Sequence, residues 1–523
     1  MINSGGYVII LSIKPFGENM KSQSVVTDLR RKVFAEVARV AYQSNDVSSD
    51  LEEIPFLITP DEEPKYRESI YRERQIASER VRLAMGLSLR PANKPVHITS
   101  GVDKSTIAEK YYEPPLMQVI PSACDKCPDN EFYVSDQCRN CVAHSCIKAC
   151  PKGAISIVNG RSYIDQSKCI KCGKCKSACP YDAIAHHKRP CSAACGVKAI
   201  TSDEYGRAHI DNETCVACGQ CMSACPFGAI ADKSQIFQLI QAIKKGDEVV
   251  AAIAPAVVGQ FGENVTFGQF KSALLALGFK DVYEVAVGAD VGCIAEAHHY
   301  VNEVTTGNLP FLFTSCCPAW AVLVKKQFPD LASKVSQELT PMVATARSIK
   351  VKRPEARVVF IGPCAAKKLE ASRRTVRSYV DFVITFEELA GMFEAKNIKI
   401  SEMEDLPVKL QATGAGRGYA CSGGVASAIE KCIQEYYPGT QVKIQHAEGL
   451  AECKKMLFLA KSGKLDGYMI EGMGCPGGCI AGVGTIIPPE RAKVAVGQLV
   501  KASERSVPSK EMEDLAEKLT SME

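Results

Sequence analysis

The sequence predicts a multidomain protein in which small cysteine-rich β-α modules precede a larger α/β domain. The chain has 523 residues, more than a single hydrophobic core usually serves. Most of its 25 cysteines fall between Cys124 and Cys225. From about residue 235 onward, short apolar runs alternate with longer helical stretches, which is typical of an α/β fold.

The composition argues against a nucleic-acid binder and against a membrane protein. Hydrophobic residues make up 46% of the chain, charged residues 23%, and the formal net charge is +4. No apolar run reaches the roughly 18 residues that a bilayer span requires. The run at residues 7–13 is too short and lacks the flanks of a signal peptide, and either Met1 or Met20 is the true start. We therefore expect a cytoplasmic, monomeric protein.

The cysteines have the spacing of metal ligands. Disulfide scaffolds are usually short and secreted, unlike this chain. Residues 169–180 and 215–226 both read Cys-x2-Cys-x2-Cys-x3-Cys-Pro. In this bacterial-ferredoxin run three thiolates hold one [4Fe–4S] cube and the fourth ligates a neighbouring cube. Zinc is the alternative, but it rarely uses four cysteines at this spacing. Residues 121–232 are thus predicted to be ferredoxin-like.

Sixteen cysteines in this region suffice for four cubes. Residues 138–151 are a looser copy of the same unit, and repeated Ala-Ile dipeptides support repeated β-α modules. The exchange rule assigns three ligand sets, and elimination assigns the last. The predicted sets are Cys138, Cys141, Cys146 and Cys179; Cys169, Cys172, Cys175 and Cys150; Cys215, Cys218, Cys221 and Cys195; and Cys124, Cys127, Cys191 and Cys225. Residues 124–225 hold 13 Lys and Arg against 10 Asp and Glu, which is compatible with an acidic electron carrier.

In the α/β region, three predicted strands lead directly into cysteine motifs. Open α/β sheets build their sites beyond the carboxyl ends of strands, so we expect these motifs to meet. The Pro-Gly-Gly between Cys475 and Cys479 can bend tightly around a bulky group. The motifs are Thr314-Ser-Cys-Cys-Pro-Ala-Trp320, Gly362-Pro-Cys-Ala-Ala-Lys-Lys-Leu-Glu370 and Glu471-Gly-Met-Gly-Cys-Pro-Gly-Gly-Cys479. The predicted strands are 249–254, 282–287, 310–313, 358–361, 382–384 and 468–470.

Together, the three motifs resemble the signature segments of the [FeFe]-hydrogenases. The resemblance covers roughly residues 235–490, with the ferredoxin-like region before it in the expected order. It implies a two-lobed α/β H-cluster domain and an enzyme that catalyses 2H⁺ + 2e⁻ ⇌ H₂. It further implies ferredoxin or a similar small electron carrier as partner, and maturation proteins for the di-iron subsite. Gly362, where the best-studied members carry Met, indicates a divergent branch.

The resemblance also implies the roles of individual residues. Cys317, Cys364, Cys475 and Cys479 would hold the [4Fe–4S] part of the H-cluster. Cys479 would also bridge to a di-iron subsite that carries CO, cyanide and a dithiolate amine. Lys367 would donate to a cyanide, with Lys368 outside the pocket. The remaining wall and the second cyanide would be covered by Ala254, Pro255, Ala256, Thr340, Gly477 and Gly478.

A proton relay is implied as well. Cys316 would be the proton shuttle, with Glu296 and Ser336 as the next groups. The family's following glutamate is replaced by His299, which leaves the outer half of the relay open. An ordinary helical surface residue is the alternative for Glu296, and an ordinary surface lysine for Lys367. Cys293, Cys421, Cys432 and Cys453 are interpreted as buried small apolar residues.

The predicted domains are a helical extension (1–120), the ferredoxin-like domain (121–232), the H-cluster domain (235–490) and a charged helical tail (491–523). Two other functions are considered. One is a non-catalytic relative that senses redox state or hydrogen, or assists iron–sulfur assembly; the other is a polyferredoxin subunit of a larger dehydrogenase. The glycines of residues 414–418 lack the complete nucleotide-binding fingerprint.

Overall fold

The computed structural model describes residues 24–373, 375–376 and 379–522, so the apolar run at 7–13 and the question of the start at Met20 lie outside the described residues. The chain forms two compact units. The first comprises the residues up to Leu116, Val216–Cys218 and the residues from Asp232 onward; the second comprises Met117–Cys215 and Gly219–Ala231. Along the described part of the chain, no helix combines the length and the apolarity needed to cross a membrane.

The described α-helices are α1 (Val25–Gln43), α2 (Val47–Ile58), α3 (Ile70–Ala84), α4 (Val102–Ser105), α5 (Ser145–Lys148), α6 (Lys174–Ala178), α7 (Pro190–Ala193), α8 (Gln220–Ala224), α9 (Ile236–Lys245), α10 (Phe267–Leu277), α11 (Val285–His299), α12 (Pro318–Gln327), α13 (Pro341–Lys352), α14 (Ala366–Ala371), α15 (Phe386–Ala395), α16 (Gly414–Gly418), α17 (Gly424–Tyr436), α18 (Leu450–Lys461), α19 (Pro489–Lys501) and α20 (Met512–Thr520).

The described strands are β1 (Met117–Val119), β2 (Glu131–Val134), β3 (Ile155–Val158), β4 (Arg161–Ile164), β5 (Ile184–His187), β6 (Ile200–Ser202), β7 (Ala208–Ile210), β8 (Ile230–Asp232), β9 (Val249–Ile253), β10 (Asp281–Glu284), β11 (Leu312–Phe313), β12 (Arg357–Gly362), β13 (Phe382–Thr385), β14 (Lys443–Glu448) and β15 (Tyr468–Met473).

The first unit contains two parallel sheets. The larger has the strand order β10-β9-β12-β13, and the smaller has the order β11-β15-β14. Strand β9 is buried along its whole length, as the strands of parallel sheets covered on both faces usually are. The predicted strand at 282–287 ends at Glu284 because α11 already begins at Val285. Strand β14 was not predicted, since its polar sequence lacks an apolar run.

The N-terminal helices share the core of the first unit. The Oγ of Ser24 accepts a hydrogen bond from the N–H of Thr27 and caps α1. Helix α1 packs on α15 so closely that a Cβ at Gly391 would lie 2.7 Å from the Cβ of Phe34. These helices thus belong to the same compact unit as the predicted H-cluster domain, and the unit boundaries do not follow the predicted limits of 1–120.

The C-terminal helices also pack onto the first unit. Leu519 of α20 is fully buried in a small cluster with Val291 of α11. Its carbonyl accepts a hydrogen bond of 2.5 Å from Nη1 of Arg347. The C-terminal segment, expected as a surface tail, therefore buries an apolar face of α20 against α11.

The second unit is built from short antiparallel strand pairs and helices of one or two turns. The pairs are β2–β5, β3–β4 and β6–β7. Phe132, Ile155, Ile164 and Ile184 form its small core together with cysteine side chains. The segment 186–189 is part of this unit: β5 ends at His187, and Arg189 is buried.

Candidate iron–sulfur sites

The cysteine motifs of the first unit begin where β11, β12 and β15 end. Cys317 is the residue before α12, whose first helical residue is Pro318. The indole N–H of Trp320 donates to the carbonyl of Thr314 at 3.0 Å and closes the first loop. The amide of Gly474 donates to the Sγ of Cys317 at 3.3 Å, which joins the first loop to the third.

The four thiols predicted to hold the H-cluster cube are brought into one buried region. Burial raises the pKa of Cys475, and the thiols of Cys364, Cys317 and Cys479 raise it further. Burial raises the pKa of Cys364 to about 11, with Cys317 again contributing. Such mutual effects require short separations, so the three loops converge. The thiol of Cys218, which belongs to the same unit, also acts on Cys475.

The ammonium of Lys367 lies beside these thiols. Its Nζ is 2.7 Å from Oε2 of Glu370, and both side chains are buried. Burial opposes the charged form, but Glu370 and the thiols of Cys364 and Cys316 outweigh it and raise the pKa of Lys367. The ion pair with Glu370 engages one of the three N–H groups of the ammonium. A buried cation with unused N–H donors suits an anionic ligand such as cyanide.

Thr340 is connected to the same group, because its Oγ1 donates to Oε1 of Glu370 at 2.6 Å. Ala254 and Ala256 are buried in the turn that follows β9. A Cβ at Gly362 would lie 2.6 Å from the ring of Phe360 and 3.1 Å from the Cβ of Ala254. The glycine that departs from the best-studied members is therefore required here by the packing of Phe360.

The Pro-Gly-Gly loop is held by backbone contacts. Gly478 has a φ of +88°, and a Cβ there would lie 2.5 Å from the backbone nitrogen of Ser422. The backbone N–H of Ser422 donates a hydrogen bond of 3.1 Å to the carbonyl of Gly477. The glycine thus permits a close approach of two chain segments beside Cys479.

Glu296 is buried on α11 next to Cys316. Burial raises the pKa of Glu296 to about 8, although hydrogen bonds from the Ser336 side chain and the Ser315 backbone lower it. Burial raises the pKa of Cys316, and Glu296 is the first of the charges that raise it further. Cys316, Glu296 and Ser336 thus lie in series, and Glu296 is not a helical surface residue.

A carboxylate that the sequence did not suggest lies near Glu296 and Ser336. The Oγ of Ser336 accepts a hydrogen bond of 3.2 Å from the amide of Glu338. The carboxylate of Glu338 also acts on Glu296, whose pKa it raises. Its Oε1 lies 3.8 Å from Nδ1 of His299, and both side chains are 24% exposed. Its position two residues after Ser336 was the available signal.

Two further buried groups near Cys316 were also missed. Glu471 is fully buried, and its carboxylate accepts hydrogen bonds of 2.9 Å from the amides of Gly423 and Ala426 at the start of α17. It also raises the pKa of Cys316. The hydroxyl of Tyr419 is buried, and no partner for it exists among the described residues.

In the second unit, one small cavity is lined by Cys124, Cys127, Cys191 and Cys225, the predicted set that rested on elimination. Burial raises the pKa of Cys191 to about 11, and the thiols of Cys225 and Cys124 contribute. The guanidinium of Arg189 donates to the carbonyl of Cys127 at 2.9 Å and fixes one side of this cavity.

The other thiols of this region are also grouped. Burial raises the pKa of Cys175, and the thiols of Cys169 and Cys150 raise it further. The Ser162 hydroxyl lies 3.4 Å from the Sγ of Cys146, and Ser162 also hydrogen-bonds with Cys138. Equivalent backbone N–H groups donate to three cysteine sulfurs at 3.2–3.3 Å, and such bonds tune cluster potentials. They run from Ala154 to Cys150, from Ala199 to Cys195 and from Ala229 to Cys225.

Among the described residues, no group of three or more His, Cys, Asp and Glu side chains is arranged to hold a single metal ion. A [4Fe–4S] cube has a different requirement, because each of its four thiolates binds a separate iron atom around the cluster.

The cysteines interpreted as apolar residues are packed in two ways. The Sγ atoms of Cys293 and Cys432 lie 3.0 Å apart, and both residues are fully buried. Cys453 donates to the carbonyls of Ala447 and Met473.

The glycines of α16 serve packing as well. A Cβ at Gly416 would lie 2.3 Å from the carbonyl oxygen of Ala286, so this glycine allows a close contact with α11. The buried carboxylate of Asp290 accepts hydrogen bonds from Gly416 and Thr413 and thereby occupies the position an anion would take.

The family profile described as "Iron only hydrogenase large subunit, C-terminal domain" matches residues 247–483. The profile described as "4Fe-4S binding domain" matches residues 162–185 and 208–231. Among solved structures, the chain is similar to an apo [FeFe]-hydrogenase from Chlamydomonas reinhardtii. The identity is 22% and the TM-score 0.44, covering 52% of this chain and 89% of that one.

Among curated proteins, the chain is 28% identical to Iron hydrogenase 1 of Clostridium pasteurianum, over 68% of this chain and 70% of that protein. It is 29% identical to the NADP-reducing hydrogenase subunit HndD of Solidesulfovibrio fructosivorans, over 60% of this chain and 55% of that protein. It is also 24% identical to a probable cytosolic Fe-S cluster assembly factor of Aedes aegypti, over 43% of this chain and 58% of that protein. With its cysteine motifs and both family profiles in the expected order, the chain belongs to the [FeFe]-hydrogenase family as a divergent member.

Proposed function

We propose that this chain is a hydrogenase that catalyses 2H⁺ + 2e⁻ ⇌ H₂ at an H-cluster. The observation that carries the proposal is the buried ammonium of Lys367, which lies beside Cys364 and Cys316 and is paired with Glu370 through one of its three N–H groups. A site for a cube alone needs thiolates but no buried cation. An anionic ligand of a larger cluster would complete the surroundings of Lys367.

When bound, the H-cluster would supply the metal centre at which protons and electrons combine. Cys317, Cys364, Cys475 and Cys479 would hold its cube, and Cys479 would also bridge to the di-iron subsite. Lys367 would donate to one cyanide. The positive φ of Gly478 keeps the loop free of a side chain that would collide with Ser422.

The chain's own proton carriers would form a line from the pocket towards solvent. The raised pKa of Cys316 keeps a proton on its Sγ near neutral pH. Glu296, with a pKa of about 8, exchanges protons in the working range of the enzyme and can restore the proton on Cys316. Ser336 and Glu338 would continue the line, and the partly exposed His299 would exchange protons with water.

Electrons would travel through four [4Fe–4S] cubes in the ligand sets predicted from the sequence, to or from ferredoxin or a similar carrier. Dedicated maturation proteins would install the di-iron subsite. We propose a cytoplasmic location, because the described cysteines are free thiols rather than disulfides.

A second candidate is a non-catalytic role in iron–sulfur cluster assembly or in sensing. The similarity to the probable Fe-S cluster assembly factor of Aedes aegypti favours it. In that role the four cysteines would hold a cube without a di-iron subsite, and the buried Lys367, Glu296 and Cys316 would need another explanation.

Infrared spectroscopy of the protein matured anaerobically distinguishes the two. A hydrogenase should show CO and cyanide bands and evolve hydrogen from reduced methyl viologen. Cys316→Ala should keep the bands while turnover falls by about two orders of magnitude or more, as the loss of a general acid does. If the bands are absent from protein with full cube content, the second candidate is correct.

A further inference from the structure

Two copies of one cluster-binding motif have opposite surroundings. Residues 169–180 and 215–226 share the same cysteine spacing. In the first copy, Cys172 is the one exposed cysteine among the described residues. In the second copy Cys218 is partly buried and acts on Cys475 in the first unit. One copy therefore presents a cluster ligand to solvent, whereas the cysteines of the other copy are buried or partly buried.

The residues between the cysteines differ in the same sense. In the first copy they are cationic or apolar and exposed, whereas in the second they are uncharged and mostly buried. The matched pairs, first copy before second, are Ile170 and Val216, Lys171 and Ala217, Lys174 and Gln220, and Lys176 and Met222. The lysines are therefore not part of the cysteine motif that the two copies share.

The charge around Cys172 is strongly positive. Residues 168–188 contain five lysines and a single acidic residue, Asp182. Within the described residues, Lys174 and Lys176 are exposed and make no ion pair. Burial, and then the charges of Lys188 and Lys176, lower the pKa of His186. The field at this surface is therefore that of an anion-attracting patch.

The patch also has a shaped, partly apolar floor. Cys172, Lys174, Lys176 and His186 line one open hollow together with Phe132. The rings of Phe132 and His186 are stacked, with centroids 4.1 Å apart. The side chain of Ile170, next to the hollow in sequence, is 55% exposed. A small apolar contact surrounded by like charges is the surface expected for a transient electron-transfer encounter.

We propose that the surface formed by Ile170, Lys171, Cys172, Lys174 and Lys176 is where a small acidic electron-carrier protein docks, so that electrons enter or leave at the cube that Cys172 ligates. The use of these electrons for hydrogen chemistry rests on the proposed function. The docking surface itself requires only that the cubes are present. It locates a partner surface that overall composition could not, because residues 124–225 as a whole are only mildly basic.

The test uses the full chain with its cubes assembled and compares Lys174→Glu/Lys176→Glu with the parent protein. The probe is a reduced bacterial ferredoxin with an acidic surface, and cube reduction is followed anaerobically by stopped-flow absorbance. We expect the second-order rate constant to fall at least tenfold in the variant and to lose most of its dependence on ionic strength. Reduction by methyl viologen, which needs no docking surface, should be unchanged.

Two controls sharpen the result. Lys431→Glu/Lys501→Glu makes the same charge change at exposed helix positions away from the motif and should leave the ferredoxin rate within about twofold. If the reversal variant folds poorly, Lys174→Gln/Lys176→Gln takes its place. This variant has at both sites the amide found at position 220, and we expect an intermediate rate for it.

The proposal is overturned if Lys174→Glu/Lys176→Glu accepts electrons from ferredoxin at the parent rate. It is also overturned if this variant and the control Lys431→Glu/Lys501→Glu are slowed equally. It is also overturned if the parent protein shows no salt-sensitive reduction by ferredoxin, which would leave the patch to another subunit. Because cube reduction does not need the di-iron subsite, these outcomes are independent of whether the chain makes hydrogen.

Discussion

The Nζ of Lys367 lies 2.7 Å from Oε2 of Glu370, whose other oxygen accepts the hydroxyl of Thr340. The neighbouring Lys368 is also buried, but its ammonium contacts other carboxylates. Its Nζ is 2.7 Å from Asp232 and 2.8 Å from Glu388, so its charge is fully paired. The two adjacent lysines are therefore paired differently: Lys368 with two carboxylates and Lys367 with one.

Lys367→Met should preserve the cubes and abolish most of the CO and cyanide infrared bands after maturation. Removing a charged donor from a buried site commonly costs a factor of about 10²–10³ in turnover, and hydrogen evolution should fall by at least that much. The matched control is Lys368→Met, which should lower the melting temperature because Asp232 and Glu388 lose their counter-ion. Normal bands in Lys367→Met would contradict the assignment.

Glu338→Gln and His299→Gln should each slow hydrogen evolution about tenfold without changing the infrared bands, because both groups lie at the solvent end of the proposed relay. The rate should be measured against pH in H₂O and D₂O, since a proton-delivery defect raises the solvent isotope effect. His298→Gln is the control, because His298 is next in sequence but pairs with Glu513. Equal losses in all three variants would indicate a structural effect.

Glu296 should make stability depend on pH. Its folded-state pKa of about 8 is above the ordinary glutamate value of 4.5, so the folded protein holds this proton more tightly than the unfolded chain. The resulting stabilisation is complete below about pH 4.5 and is lost as the pH rises through about 8. Thermal unfolding of cube-loaded protein should therefore show a steeper fall in melting temperature between about pH 5 and about pH 8 than in Glu296→Gln. Parallel curves would place the Glu296 pKa near its ordinary value.

The N-terminal helices should contribute to the stability of the first unit. The guanidinium of Arg30 on α1 lies 2.8 Å from Glu387 on α15, and both side chains are buried. Glu387→Gln leaves an unpaired buried cation and should cost about 3 kcal/mol, whereas Arg30→Met/Glu387→Leu should restore most of the loss. Glu402→Gln, at the exposed pair with Lys399, should have no measurable effect. Thermal unfolding of the three variants provides the comparison.

Much of the local structure was predictable because it follows from spacing and periodicity. The strands that precede Cys316, Cys364 and Cys475 were predicted from apolar runs, and the structure has strands there. Strand β14 was not predictable in this way, since its residues alternate between exposed and partly exposed. The start of α11 at Val285 was also missed, because a buried helix and a buried strand have the same apolar composition.

The sequence by itself determined the chemistry of this protein: the number and spacing of the thiols, the ferredoxin-like copies and the family to which the chain belongs. These are local patterns, which adjacent residues carry without reference to the fold. The tertiary structure decided which distant groups meet. It paired Lys367 with Glu370 and set Glu338 beside Ser336 and His299. It also left Cys172 and the lysines of the first ferredoxin-like motif exposed, whereas Cys218 of the second is partly buried. Such contacts depend on how helices and sheets pack, and a one-dimensional pattern does not contain that information.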